Sequence, residues 1–441
     1  MKLKRLLLVC TLIVLFADCN TFKKSQVIVP QIVKDTMAVT KSVIIDNAKT
    51  DSFFINLLQQ YPQYFAEIIA NRKAWNVQVI YTEINRDENN VPHFVNHYFN
   101  VDSSAYFYPA STVKLPTALL ALQRLHELKD TGIKRSTTMI TEAAYSGQTE
   151  TYNDPQTEDG RPTIESYIKR IFLVSDNEAF NRLYEFLGQK YINDELHKRG
   201  FNDAQILHRL DIFLSEDENR HTNPVKFLDS NNNVFYSQPL VFNEDKYAER
   251  HDSLGEAHFS GGELLHSPMN FSKKNRISLE DLHQIMRSVI FPESVPAAQR
   301  FNITDSDYFF ARKYMSQFPG ESNFPAYDSA NYPDAYGKFL LYGSRKEPLP
   351  KDIRIFNKEG DAYGELLDIA YIVDFDKNIE FFLSAAINCN TNGIINDDNY
   401  AYDTLGFPFM KNLGEVIYKY ESKRKKQYEP NLSSFKIIYN K

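Results

Sequence analysis

Ser111 and Lys114 stand three residues apart in "YPASTVKLP", just before an apolar run. A serine hydroxyl is a poor nucleophile until a base takes its proton. A lysine can be that base when burial or a nearby cation lowers its pKa. Taken alone, the pair also fits the polar start of an ordinary helix, because both residue types are common. Two more clusters follow in chain order: Ser175-Asp176-Asn177 and Lys358-Glu359-Gly360. Locally, the first fits a helix cap and the second a solvated edge-strand lysine. Ser111 is thus a candidate nucleophile and Lys114 its candidate base, to be weighed with these two clusters.

The elements that must position these residues are legible. Leu115, Ala118, Leu119, Leu122 and Leu125 fall at i, i+3, i+4 spacing and predict one helix face. Pro109 suits the entry to that helix. Its N-terminal amides favour negative charge near the hydroxyl. Residues 51–72 read as helical and 75–86 as a strand, with "HFVNHYFNV" as a second strand after a turn. Residues 163–188 carry two helical patterns broken at Ser-Asp-Asn. Helices are expected over 277–291, 306–318 and around 414–420. Strands are expected over 353–375 and 379–390. The fold class implied is α+β: one antiparallel sheet built from both chain ends, packed with helices, plus an all-helical lobe. The cleft between sheet and lobe is the natural site.

Together the three clusters resemble the S-x-x-K, S-D-N and K-T-G set of class A β-lactamases and penicillin-binding serine hydrolases. The likeness extends to "FYPASTVKLPTALLAL", to "DGRPTIESYIKRIFLVSDNEAFNRLYEFLG", to "RLD" at 209–211 and to "NKEGDAYGELLDIAYI". It implies a Ser111 nucleophile with Lys114 as base and Lys358 as the cation that depresses it. Ser175 shuttles a proton to the leaving nitrogen. Asn177 holds substrate or Lys114, while Lys358 and Gly360 lie along the substrate. The backbone N–H groups of Ser111 and Asp361 form an oxyanion hole. A β-lactam or a peptidoglycan-like peptide is the implied substrate; a D,D-peptidase, an esterase or a non-hydrolytic penicillin-binding module is the alternative. No cofactor or metal is implied. His251, Glu256 and His258 match no zinc spacing and read as a polar loop.

Two departures stand out. Glu359 replaces a Thr or Ser that helps bind the substrate carboxylate, and a glutamate there repels one. The loop "RLDIFLSEDENRHTNP" should supply the acid that activates the deacylating water. Counting from Asp211 brings the expected position to Leu214, and the nearby Glu216 is the expected base. Residues 226–270 are polar and poorly periodic and read as an insertion. The 183-residue spacing from Ser175 to Lys358 is longer than the resembled family needs, and this insertion accounts for much of the excess.

Composition bounds the rest. Hydrophobic residues at 43% and charged residues at 24% are globular proportions with enough apolar mass for a sizeable core. Lys2, Lys4 and Arg5 precede an apolar run, Leu6 to Ala17, too short to span a bilayer comfortably. Residues 1–18 therefore read as a signal peptide, and Cys19 as a lipidation cysteine. Residues 19–50 are a tether, 51–425 the catalytic domain and 426–441 a C-terminal tail. Losing the leader takes the formal charge from −7 to −9, which disfavours nucleic acid. Export to the periplasm or outer envelope, a lipid anchor as the membrane contact and a monomeric state are the expectations. Of three cysteines, Cys10 leaves with the leader and Cys19 is lipidated, so Cys389 lacks a disulfide partner.

Overall fold

The computed structural model describes residues 48–439. The leader, Cys19 and nearly all of the tether lie outside the described residues.

Helices α1 (Ser52–Leu58) and α2 (Pro62–Asn71) open the domain. Asp51 caps α1 by accepting from the Phe54 N–H at 3.1 Å. Strands β1 (Gln78–Arg86) and β2 (Pro92–Phe99) form a hairpin. The Asp87 carboxylate closes its turn, accepting from the N–H groups of Asn89 and Val91. The helical lobe contains α3 (Lys114–Glu127), α4 (Ile164–Val174), α5 (Asn177–Leu187), α6 (Gln189–Lys198) and the short α7 (Glu216–Arg220). A small sheet of β3 (Thr138–Thr141), β4 (Val225–Leu228) and β5 (Val234–Gln238) lies beside it. Short strands follow: β6 (Ser253–Leu254), β7 (Ala257–Ser260), β8 (Glu263–Leu265) and β9 (Met269–Asn270). Then come α8 (Leu279–Ile290), α9 (Asp305–Ser316) and a distorted turn, α10 (Phe339–Tyr342). Strands β10 (Ile353–Ala362), β11 (Glu365–Asp374) and β12 (Ile379–Asn388) precede β13 (Ile394–Ile395) and α11 (Phe407–Glu421).

The main sheet runs β10-β11-β12-β1-β2, antiparallel throughout. Strand β1 pairs with β12, with Gln78 opposite Ala386, so both chain ends build one sheet. Its central strands are apolar on both faces because both are covered. One core joins Phe356, Leu367, Tyr371 and Phe382 to the lobe helices and α8. The other joins Phe381, Ile372 and Val79 to Phe54, Phe65 and Leu413. Edge strand β2 alternates partly buried and exposed residues along much of its length. The β10–β11 hairpin turns at Tyr363 and Gly364, both at positive φ, as a tight two-residue turn requires.

One expectation needs correction here. The C-terminal segment is not a free tail. Leu432 and Phe435 are buried in the core, where Phe435 packs edge-on against Phe291 and Phe356. The Tyr439 hydroxyl meets Ser316 at 2.7 Å. Apolar residues within a basic stretch are what anchor it. The 226–270 stretch, with its short strands, is joined by a second irregular stretch, 317–352, between α9 and β10. The latter is fixed at Gly414, where a Cβ would lie 2.3 Å from the Leu341 backbone nitrogen. Gly414→Ala is therefore expected to destabilise the protein by about 1–3 kcal/mol through overpacking. Chemical denaturation checks this, with an unchanged midpoint as the contrary result.

Candidate active site

Ser111 lies in a single 3-10 turn, Ala110–Val113, that runs directly into α3. Lys114 is thus the first residue of the α-helix proper, one turn beyond Ser111. Its side chain is fully buried. The Nζ lies 2.9 Å from Ser111 Oγ, 2.6 Å from Asn177 Oδ1 and 3.2 Å from Ser175 Oγ, and it also contacts the Ser175 carbonyl. An ammonium has three protons for these four neighbours. If Lys114 is neutral, its lone pair can instead accept the Ser111 proton. Burial, reinforced by the positive charge of Lys358, holds the Lys114 pKa well below the usual lysine value. The site therefore pairs a hydroxyl with a base at contact distance.

The Ser-Asp-Asn cluster is the joint between two helices. Ser175 ends α4 in the left-handed region at φ 58, and Asp176 caps α5 by accepting from the Ala179 N–H at 2.9 Å. Left-handed non-glycine residues cost on the order of 1–3 kcal/mol. Here the strained turn places the Ser175 hydroxyl between two lysines, 3.2 Å from Lys114 Nζ and 2.9 Å from Lys358 Nζ. Ala110, beside Ser111, is left-handed as well, at φ 46.

Strand β10 brings in the third cluster. A Cβ on Gly360 would lie 2.8 Å from the Ser111 nitrogen and 3.0 Å from the Thr112 nitrogen. Only glycine lets the strand approach that closely. Ser111, Asp361 and Asn177 line one cavity of about 300 Å³. Ser175, Glu359 and Asp361 line an adjoining cavity of about 400 Å³, walled by Tyr336 and Gly337.

Glu359 does not act as a bare repelling charge. Its carboxylate accepts from Lys358 Nζ at 2.9 Å and packs against Gly337. Burial pushes its pKa up, but Lys358, with Lys338 behind it, more than offsets this and keeps the carboxyl below its usual range. Lys338 comes from the 317–352 stretch. It donates to Asn357 Oδ1 and the Met315 carbonyl, both at 2.6 Å. Asn357 in turn donates to Asp368 at 2.7 Å. Asp361 looks onto both cavities. It accepts no hydrogen bond and forms no ion pair among the described residues. Burial and the neighbouring Glu359 raise its pKa.

Glu216 is not brought to the site. It lies on α7, half-exposed, 3.2 Å from Arg220 and 3.6 Å from Lys273, and faces a different cavity. The acid at the Ser111 cavity is Asp211. Asn181 grips the preceding peptide, accepting from the Leu210 N–H at 2.8 Å and donating to its carbonyl at 2.9 Å. Arg209 is buried against Glu185 at 3.0 Å and donates to the carbonyls of Glu218 and His221. These contacts leave Asp211 left-handed at φ 52, with Oδ2 3.4 Å from Asn177 Nδ2. The usable sequence signal was Asp211 itself, directly after Arg209-Leu210. Counting onward from it led past the residue.

The sequence matches the model of the Beta-lactamase enzyme family over residues 62–305, more than half of the chain. The chain belongs to that family. The match includes Ser111, Lys114 and the Ser-Asp-Asn joint and ends before Lys358, which joins them through strand β10. No curated protein sequence matches this β-lactamase-family chain. It is similar to a solved β-lactamase from Xanthomonas campestris (14% identity, TM-score 0.45, 82% of this chain and 98% of that one). It is also similar to a class A β-lactamase from Clostridium kluyveri (13%, 0.45, 82% and 98%) and to PBP-A (15%, 0.46, 84% and 97%).

The electrostatics make a signed prediction. Because the Lys114 pKa is lowered, its free-base form extends to lower pH than that of an ordinary lysine and is lost on acidification. Lys358→Met removes the cation that helps lower it, so the Lys114 pKa rises. The acidic limb of Ser111 modification by a fluorophosphonate is expected to move to higher pH, with labelling at pH 7 reduced about tenfold or more. A limb that stays in place contradicts the assignment.

Proposed function

We propose that the protein is a serine acyl hydrolase that forms an acyl-enzyme at Ser111 and releases it to water. The single observation carrying this reading is the contact between Ser111 Oγ and the buried Lys114 Nζ at 2.9 Å. Lys114 takes the hydroxyl proton as Oγ bonds to the substrate carbonyl carbon. The oxyanion forms beside the backbone N–H groups of Ser111 and Asp361, where Gly360 closes the gap. The bond from carbon to the leaving group breaks. The proton held by Lys114 passes through the Ser175 hydroxyl, which touches both lysines, to the departing nitrogen or oxygen.

In the second half, water attacks the ester and Asp211 takes its proton. The bond from carbon to Oγ breaks and Ser111 is reprotonated. A β-lactam is the acyl donor proposed for this scaffold. A D,D-peptidase-like or esterase-like reaction is the second reading. It is favoured by Asp361, a carboxylate in the cavity where the carboxylate of a penicillin has to be accommodated.

The test is turnover of a chromogenic cephalosporin and of a simple activated ester, followed beside labelling by a fluorescent penicillin. Ser111→Ala should abolish both reactions. Asp211→Asn should lower kcat by about 10²–10⁴-fold and let a label at Ser111 accumulate, as expected when only deacylation loses its base. Glu216→Gln should leave turnover intact. Ester turnover without penicillin labelling selects the second reading. Turnover that survives Ser111→Ala defeats both.

A further inference from the structure

The Ser111 cavity has an uncompensated sign of charge. Asp211 and Asp361 line it, and no lysine, arginine or histidine does. The two nearest cations lie behind Ser111 and Ser175, and both are fully buried. One of them, Lys358, is matched by Glu359 at 2.9 Å. The other, Lys114, is the base already held toward its neutral form. What remains facing the substrate is negative. Asp211 has only a 3.4 Å contact from Asn177, and Asp361 has no hydrogen-bond or ion-pair partner among the described residues. Tyr108 and Tyr363 also line the cavity, edge to face with ring centroids 5.1 Å apart. Carboxylates without a counter-ion are what an alkylammonium finds complementary. Arg345 and Lys346 do line the adjoining cavity, but on the exposed 344–346 segment, where Arg345 pairs with Glu347 at 3.3 Å.

Resting on the acyl-transfer reading, we propose that this cavity selects acyl donors carrying a positively charged group and that Asp361 is the residue that receives the charge. Asp361 suits this role better than Asp211 because it borders both cavities, whereas Asp211 is engaged with Asn177 and with water activation. The substrate class is an amine-bearing ester or amide, such as a basic aminoacyl or diamino-acid derivative. A donor with a carboxylate at the same place meets like charge from two sides and is disfavoured.

Three p-nitrophenyl esters of equal length, ending in ammonium, methyl or carboxylate, test the proposal on the purified protein. The expected order of kcat/KM is ammonium, methyl, carboxylate, with about tenfold or more between the extremes, narrowing as salt is added. Asp361→Asn should bring the ammonium-to-methyl ratio close to one, and Asp361→Lys should favour the carboxylate. A carboxylate ester turned over as well as the ammonium ester, or a ratio unmoved by Asp361→Asn, overturns the proposal. Calorimetric binding of the matching amides to Ser111→Ala reads the same order without turnover. Ammonium-first binding with no ester hydrolysis and no fluorophosphonate labelling sinks the acyl-transfer reading and leaves the selectivity standing. Labelling with no charge order sinks the selectivity alone.

Discussion

The site depends on one lysine being taken fully out of water. Lys114 meets Ser111, Ser175 and Asn177 and retains no exposed surface. Desolvation of an ammonium is costly enough to move its proton equilibrium by several units. The surrounding elements serve that burial. Helix α3 delivers the stem, the left-handed Ser175 folds a carbonyl and a hydroxyl over the amine, and β10 closes the side with Gly360. Each of these features is locally unfavourable or restrictive. Together they make sense as the cost of holding a desolvated amine against a hydroxyl.

A second layer of charge sits behind the first. Lys358, Glu359 and Lys338 alternate in sign, and Asn357 links Lys338 to Asp368. Burial drives Lys338 downward and Asp368 upward, each toward its neutral form. The glutamate within Lys-Glu-Gly is thus part of a compensated buried network, and the 317–352 stretch exists in the site chiefly through Lys338 and Gly337. Paired buried ions of this kind fix geometry more surely than they add stability. Their value here is a rigid strand edge beside Ser111.

Much of this was legible in the chain. The apolar spacing after Ser111, the break at Ser175-Asp176-Asn177 and the β-rich run through Lys358 set the sheet, the lobe and three of the site's elements, because periodicity and caps are local signals. The parts that escaped are non-local. Asp211 is held by Asn181 and Arg209, whose partners are not adjacent in sequence, so counting along the loop pointed to Glu216 instead. Lys338 lies in a stretch without periodicity, and nothing nearby marks it as buried. Leu432 and Phe435 sit in a basic setting that reads as solvated, yet they pack into the core, Phe435 against Phe291, Phe356 and Tyr371. The role of Glu359 as the counter-ion of Lys358 follows from both side chains being buried, which the local sequence pattern does not mark.

The pairing of β1 with β12 reaches beyond the site. Two strands that lie side by side in the finished sheet are separated by roughly 300 residues of chain, and loop closure over such a span is slow. During synthesis the hairpin of β1 and β2 emerges long before its neighbour exists, with an apolar edge uncovered on the β12 side. The inner core against α8 is finished only when Phe435 arrives. The domain therefore cannot mature from its N-terminal strands forward. It stays incomplete until β12 and Phe435 are both available, and its folding intermediates are the stage at which an exposed strand edge invites association between chains.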